Sequence, residues 1–133
     1  MLSTRSKIKI VLLFIVQIGF SNTPPIAVND ANFAKRNTNL EVASPGVLEN
    51  DTDLDGDVLT VISFFVNGFT YTPNKTANFK EGSISISSDG SYTFIPTPNY
   101  LGIIPTITYV ISDALFTTSA NLNLSVILPP TTP

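Results

Sequence analysis

Apolar and polar side chains alternate along much of this chain with a period of two. In the longest run, every second residue from Ala120 to Leu128 is apolar, and shorter runs of the same kind lie at 84–86, 92–94 and 107–111. This period is typical of β-strands with one buried and one solvated face. No window of useful length has the 3.6-residue period of an amphipathic helix. The sequence therefore predicts an all-β chain.

Turn-forming residues separate these runs. Ser88-Asp89-Gly90 and Asn67-Gly68 each predict a tight hairpin turn, and Gly90 is expected to adopt positive φ. Residues 58–66 are more continuously apolar, which favours a strand covered on both faces or a strand that carries a bulge. Weaker strand signals lie at 32–36 and 39–43. About seven short antiparallel strands in this length predict an immunoglobulin-like β-sandwich.

Large aromatic side chains are the natural core of such a sandwich. Six of them are expected to be buried: Phe64, Phe65, Tyr92, Phe94, Tyr100 and Tyr109. Phe69 and Tyr71 belong to residues 67–81, between two predicted strands. They are either packed in a turn or exposed as an aromatic pair.

The N-terminal segment, residues 1–21, has the features of a secretory signal peptide. Three basic residues precede an apolar run over residues 10–20, and Gly19 and Ser21 permit cleavage after Ser21. The run is shorter than the ~20 residues of a spanning helix. We therefore expect a cleaved signal rather than an anchor, a mature chain without a membrane span, and a location at the cell surface or in the medium.

The remaining chain divides into three parts by composition. Residues 22–26 are predicted to be a Pro-rich linker, residues 27–128 the β-sandwich domain, and residues 129–133 a Pro/Thr linker or tail. No second copy of the domain occurs in the chain.

The composition excludes several kinds of chemistry. The chain has no cysteine and no histidine, so disulfides, thiolate nucleophiles, most zinc sites and ordinary Ser/His/Asp catalysis are absent. After removal of residues 1–21, four Lys/Arg and ten Asp/Glu leave a net charge of −6. A surface of this charge repels nucleic acid and anionic membranes, so cations or neutral partners fit better.

Four aspartates stand at alternate positions in one short stretch, with a glycine before the last: Asp51, Asp53, Asp55 and Asp57. Their carboxylates repel one another at neutral pH, and calcium takes several oxygen ligands from such flexible acidic loops. A solvated acidic turn with Gly56 at its bend gives the same pattern. Spacing alone leaves both interpretations open.

Two other interpretations of this stretch fit less well. The start of an EF-hand loop matches, but its twelfth position is Ile62, which cannot ligate a metal, and the flanks are strands. A glycosidase-like carboxylate pair needs a pocket that sets the two pKa values apart. We expect clustered aspartates in one exposed loop to stay ionised, so the chain is not expected to be an enzyme.

Several fragments in the same order match a known family. These fragments are Pro24–Asp30, Val47–Val61, Gly82–Ile86, Asp89–Pro96, Asn99–Gly102 and Thr108–Asp113. In them the chain resembles the bacterial cadherin-like, immunoglobulin-like tandem repeats of large exported adhesion proteins.

The resemblance implies a cadherin-like sandwich with calcium at one end, near the joint between repeats. The implied ligands are Asp53 and Asp55, then Asp51 and Asp57, with Asp30 and Asp113 as further contributors and Asn29, Asn50 or backbone carbonyls completing the shell. The chain departs from the family at Ala114-Leu115-Phe116, where a polar glycine-rich turn is usual, in its longer 67–81 segment, and in lacking a C-terminal Asn-Asp pair.

These features together predict a non-catalytic structural or adhesive module, stabilised by Ca²⁺ and exported as one unit of a bacterial adhesin. Its partners are expected to be neighbouring repeats or an extracellular surface. Two alternatives remain open. One is a carbohydrate- or protein-binding module that uses Phe69 and Tyr71, and the other is a plain spacer without metal.

Overall fold

This computed structural model describes residues 21–131. They contain ten β-strands and one short 3₁₀ turn. The strands are β1 (Asp30–Lys35), β2 (Leu40–Val42), β3 (Thr60–Val66), β4 (Phe69–Tyr71), β5 (Thr76–Phe79), β6 (Gly82–Ile86), β7 (Tyr92–Pro96), β8 (Gly102–Ile103), β9 (Ile107–Ser112) and β10 (Thr117–Ile127), with the 3₁₀ turn at Gly46–Leu48. The predicted signal peptide, apart from Ser21, lies outside the described residues.

The strands form two sheets packed face to face. One sheet has the order β1-β10-β9-β3-β4, with β8 also pairing with β10, and the other has the order β2-β7-β6-β5. The predicted all-β sandwich is confirmed, with three more strands than expected because short segments pair at the edges. One pair, β1 with β10, is parallel, whereas the sequence predicted antiparallel pairing throughout.

Side chains from alternate positions of both sheets fill the space between them. In β9, Ile107, Tyr109 and Ile111 are fully buried, and in β10 the buried set is Ala120, Leu122, Leu124 and Val126. In the facing sheet, Ile84, Ile86 and Phe94 are fully buried. The period-two pattern therefore identified the core face of each of these strands correctly. All ten described strands and this core lie between Asp30 and Ile127, so residues 22–133 include every element of the described sandwich.

A bulge in β3 explains its continuous apolar sequence. The register with β9 shifts between Val61 and Ser63, so that Phe64 and Val66 face the core while Phe65 is 43% exposed. Of the two alternatives predicted for this stretch, the strand that carries a bulge is confirmed, and the strand covered on both faces is not found. The prediction that Phe65 is buried is wrong, because the extra residue reverses the alternation downstream of it.

Residues 67–81 build one edge of each sheet. Asn67 and Gly68, with φ of 50° and 85°, close the predicted hairpin between β3 and β4. The chain then crosses to the other sheet, where β5 pairs with β6. The longer segment therefore adds edge strands rather than an irregular loop.

The β6–β7 turn packs against the 3₁₀ turn. Gly90 has a φ of 87°, as the turn sequence predicted, and its carbonyl accepts a 2.9 Å hydrogen bond from the N–H of Val47. A Cβ at Gly90 would collide with the carbonyl oxygen of Pro45 and approach Leu48 Cγ to 2.9 Å. This contact fixes the position from which the acidic loop begins.

Candidate metal centre

The acidic loop connects the 3₁₀ turn to β3 at one end of the sandwich. Thr60, the first residue of β3, pairs with Ser112, the last residue of β9, and Ser112 in turn pairs with Thr117 at the start of β10. The residues before Thr60 and the turn between β9 and β10 therefore lie at the same end. This pairing brings Asp113 to the acidic loop across more than 50 residues of sequence.

Three of the predicted ligands form a cluster on this loop. Asp53, Asp55 and Asp57 each offer a carboxylate oxygen, and these atoms lie within 4.8 Å of one another. Asp53 Oδ1 accepts hydrogen bonds from the N–H groups of Asp55 (2.8 Å) and Asp57 (3.2 Å), which curl the loop around it. Asp53 Oδ2 is buried and has no hydrogen-bond partner among the described residues. A buried carboxylate oxygen without a donor is a costly arrangement unless a cation meets it.

The segment before β1 lies against this cluster. The Thr23 N–H and hydroxyl both donate 2.6 Å hydrogen bonds to Asp55 Oδ2. The side-chain amide of Asn22 donates a 2.8 Å bond to Asp113 Oδ2. Further along, Ile26 and Thr52 exchange two backbone hydrogen bonds of 2.8 and 3.0 Å. Residues predicted to be a linker thus connect the acidic loop to the β9–β10 turn.

Asp113 is 6% exposed and is held mainly by its own turn. Its Oδ1 accepts the N–H groups of Leu115 (2.8 Å) and Phe116 (2.6 Å). The Phe116 N–H and the other donors lower the pKa of Asp113, so its carboxylate remains ionised. Ala114-Leu115-Phe116 stands where the family usually has a polar glycine-rich turn. These residues still form a turn that orders Asp113, and Ala114 has a φ of 84°.

The electrostatics within the cluster are uneven. Hydrogen bonds from the hydroxyl and then the N–H of Thr23 lower the pKa of Asp55. Partial desolvation, followed by the charges of Asp53, Asp55 and Asp113, raises the pKa of Asp57. Like charges thus concentrate at Asp57, and a cation placed there would relieve their repulsion.

The remaining two predicted ligands meet elsewhere, at the hydroxyl of Tyr109. Tyr109 Oη lies 2.7 Å from Asp30 Oδ2 and 3.3 Å from Asp51 Oδ2, and it is 2.9 Å and 3.1 Å from the carbonyl oxygens of Val28 and Val47. Asp51 also accepts a 2.7 Å bond from the Val28 N–H. Burial is the main cause that raises the pKa of both Asp30 and Asp51.

A surface cleft of about 520 Å³ is lined by aspartates from both groups. Asp51, Asp53 and Asp57 all line it, together with residues of the 3₁₀ turn and of the β6–β7 turn. Asp30 does not line this cleft. Asn29 and Asn50, expected to complete a ligand shell, are already engaged: Asn29 Oδ1 accepts the Asn121 N–H (2.9 Å), and the Asn50 amide donates to the Asn29 carbonyl (3.2 Å).

Three residues that contact the acidic groups at this end of the sandwich were not predicted from the sequence to do so. Tyr109 was predicted only as a core residue. Because a buried tyrosine hydroxyl needs a polar partner, its predicted burial could have indicated a polar group nearby. Asn22 and Thr23 were assigned to a linker, and nothing in their local sequence distinguishes them from one.

Comparison with known families agrees with this architecture. A model of the bacterial cadherin-like domain matches residues 22–128. The chain belongs to the bacterial cadherin-like family. The match begins at Asn22, so it includes the segment that contacts the acidic cluster. Cadherin-like domains commonly bind calcium, are typically extracellular and are typically not enzymes.

Solved structures resemble this cadherin-like domain in fold. A nucleoside hydrolase-related hypothetical protein from Saccharophagus degradans, associated with carbohydrate metabolism, matches with a TM-score of 0.52 at 18% identity, over 80% of this chain and 26% of that chain. The endo-fucoidan hydrolase MfFcnA4 of glycoside hydrolase family 107 matches with a TM-score of 0.48 at 18% identity, over 85% of this chain and 15% of that chain. The chain thus spans about a quarter or less of these two proteins.

An immunoglobulin domain complex of titin M10 and obscurin-like 1 also matches, with a TM-score of 0.39 at 11% identity, over 84% of this chain and all of that one. No curated protein gives a significant match. Among residues 21–131, no helix is long and apolar enough to cross a membrane.

Proposed function

We propose that this cadherin-like domain is a non-catalytic, calcium-stabilised module of an exported cell-surface or secreted adhesin. The observation that carries the proposal is the buried Asp53 Oδ2, which has no hydrogen-bond partner among residues 21–131 and belongs to a cluster of three carboxylates within 4.8 Å. An all-oxygen donor set of aspartates suits a hard divalent cation, and calcium tolerates the irregular geometry of a flexible loop better than magnesium does.

Asp53, Asp55 and Asp57 would hold the ion. Asp53 Oδ1 and Asp55 Oδ2 already accept two hydrogen bonds each, so their other oxygens remain the freer ligands. Calcium needs six to eight oxygens. Asp51, which lines the same cleft, backbone carbonyls and water would complete the number. When bound, calcium supplies positive charge that offsets the repulsion concentrated at Asp57.

The stabilising mechanism is thermodynamic linkage. An ion that binds only the folded chain stabilises it by RT ln(1 + [Ca²⁺]/Kd). Because Thr23 and Asn22 connect the cluster and Asp113 to the segment before β1, ordering of the acidic loop would also stiffen the point at which the chain enters the domain. A module at the cell surface gains rigidity in calcium-rich surroundings from this arrangement.

Catalysis is not part of the proposal. Asp55 and Asp57 are exposed, and the lowered pKa of Asp55 keeps it ionised and unsuited to act as a general acid. A spacer without metal is the alternative if the loop proves to be merely solvated.

Calorimetric titration of residues 22–133 with CaCl₂ tests the proposal. We expect one saturable binding event that Asp53→Asn weakens at least about tenfold, because this variant removes a ligand charge and half of its oxygens. The matched control is Glu41→Gln, which removes an equal charge from the exposed side chain of β2. Equal affinities for the parent, Asp53→Asn and Glu41→Gln would contradict the site.

A further inference from the structure

The second feature of interest is a cleft between the free edges of the two sheets. β4 is the edge strand of one sheet and β5 the edge strand of the other, and a cleft of about 260 Å³ lies between them. Its lining includes three aromatic rings and three polar side chains: Phe69, Tyr71, Phe79, Asn67, Asn78 and Lys80. All six belong to residues 67–81, which the calcium-binding proposal does not use.

Two of the aromatic rings are held rigidly from behind. Tyr71 stacks on the fully buried Phe64 with ring centroids 5.4 Å apart and planes inclined by 19°. Phe79 stacks on the fully buried Phe94 at 6.4 Å with the same inclination. One ring thus comes from each sheet, while Phe69 is 66% exposed at the rim. Fixed aromatic faces beside open space suit a ligand with a flat apolar face, and they lose little conformational entropy on binding.

The charge of this cleft differs from that of the rest of the domain. No acidic residue lines it, and Lys80 does. The stretch from Val58 to Lys80 contains no Asp or Glu, although residues 22–133 carry ten, and it holds two of the four lysines and arginines of residues 22–133, Lys75 and Lys80. The lining of the cleft therefore carries one charge, the positive charge of Lys80, on a domain of net negative charge.

We propose that this cleft binds one sugar unit of an anionic polysaccharide. The C–H face of a pyranose would lie against the aromatic rings, the amides of Asn67 and Asn78 would bond to hydroxyls, and the Lys80 ammonium would meet a carboxylate or sulfate group. The volume fits a single unit, since sites for whole drug-sized ligands are larger, at about 300–1,000 Å³. An extended peptide fits less well, because β4 has only three residues to pair with an added strand.

The cleft is separate from the metal centre, because none of its lining residues belongs to the acidic loop. The binding assay is therefore run in EDTA, which also prevents calcium from bridging the aspartates to a polyanion. Affinity electrophoresis of residues 22–133 uses three gels that contain polygalacturonate, dextran sulfate or neutral dextran. We expect retardation by at least one of the two polyanions, weakened by added NaCl, and none by dextran.

The opposite edge of the sandwich provides matched control variants. Phe33 in β1 is 50% exposed, and with Lys35 it lines a comparable cleft between β1 and β2. Phe69→Ala and Lys80→Gln should each weaken retardation about fivefold, whereas Phe33→Ala and Lys35→Gln should change it less than twofold. No retardation by either polyanion, retardation by dextran alone, or equal losses in test and control variants would overturn the proposal.

Discussion

Tyr109 Oη lies 2.7 Å from Asp30 Oδ2, which connects the middle of β9 to the first residue of β1. The same hydroxyl lies within 3.4 Å of both oxygens of Asp51 and is close to two backbone carbonyl oxygens. Burial, reinforced by the two carboxylates, raises the pKa of Tyr109, so the hydroxyl keeps its proton. The single O–H group of Tyr109 is thus a donor shared by acceptors from two chain segments, residues 28–30 and 47–51.

Tyr109→Phe should destabilise the domain without leaving a cavity, because only the hydroxyl is removed. The loss leaves partly buried acceptors without their donor, which costs about 1–3 kcal/mol. Urea unfolding in EDTA measures this loss. Tyr100→Phe is the control, since its hydroxyl bonds to the Ile103 carbonyl near the surface (2.6 Å) and its loss should cost less. An equal or smaller loss in Tyr109→Phe would contradict the role assigned to this hydroxyl.

Gly90→Ala should be far more damaging than Gly68→Ala. Both glycines have nearly the same positive φ, 87° and 85°, so both variants carry the left-handed backbone cost of about 1–2 kcal/mol. A Cβ at Gly68 has nothing within 4 Å, whereas at Gly90 it collides with Pro45. We expect Gly90→Ala to lose at least about 3 kcal/mol in urea unfolding. Similar losses in the two variants would show that the contact between the turns is not tight.

The β6–β7 turn should contribute to stability in a pH-dependent way. The hydroxyl and then the N–H of Ser91 bond to Asp89 Oδ1 and lower the pKa of Asp89. For a lowered folded pKa, the contribution is present above the unfolded value of about 3.8 and is lost as the pH falls through the folded value. The stability gap between the parent and Ser91→Ala should therefore be largest at neutral pH and close in acid. A gap that widens below pH 4 would contradict this assignment.

Much of the fold could be predicted from sequence because its strands obey a strict period. In β9 and β10 the alternation identified the buried residues, and Gly90 marked a turn with positive φ. Phe65 was misplaced because a bulge depends on pairing with β9, which local sequence does not encode. The very short strands β4 and β8 form only because a neighbouring strand offers unpaired backbone groups.

In the candidate site, too, the contacts within one loop could be predicted from the sequence and the long-range contacts could not. The close approach of Asp53, Asp55 and Asp57 follows from spacing within one loop, so the sequence predicted it. The separation of Asp30 and Asp51 into a group around Tyr109 depends on strand pairing across the sheet, and so do the contacts of Asn22 and Thr23. Such long-range contacts are not visible in a single sequence.

The central claim is calcium stabilisation, and thermal unfolding of residues 22–133 in excess CaCl₂, in MgCl₂ and in EDTA tests it most directly. We predict a midpoint several degrees higher in calcium than in either of the other two conditions, since one kcal/mol corresponds to about 4–8 °C for a domain of this size. Asp53→Asn, which binds calcium more weakly, should gain less from calcium than the parent does. Identical midpoints for the parent in calcium, magnesium and EDTA would contradict the account.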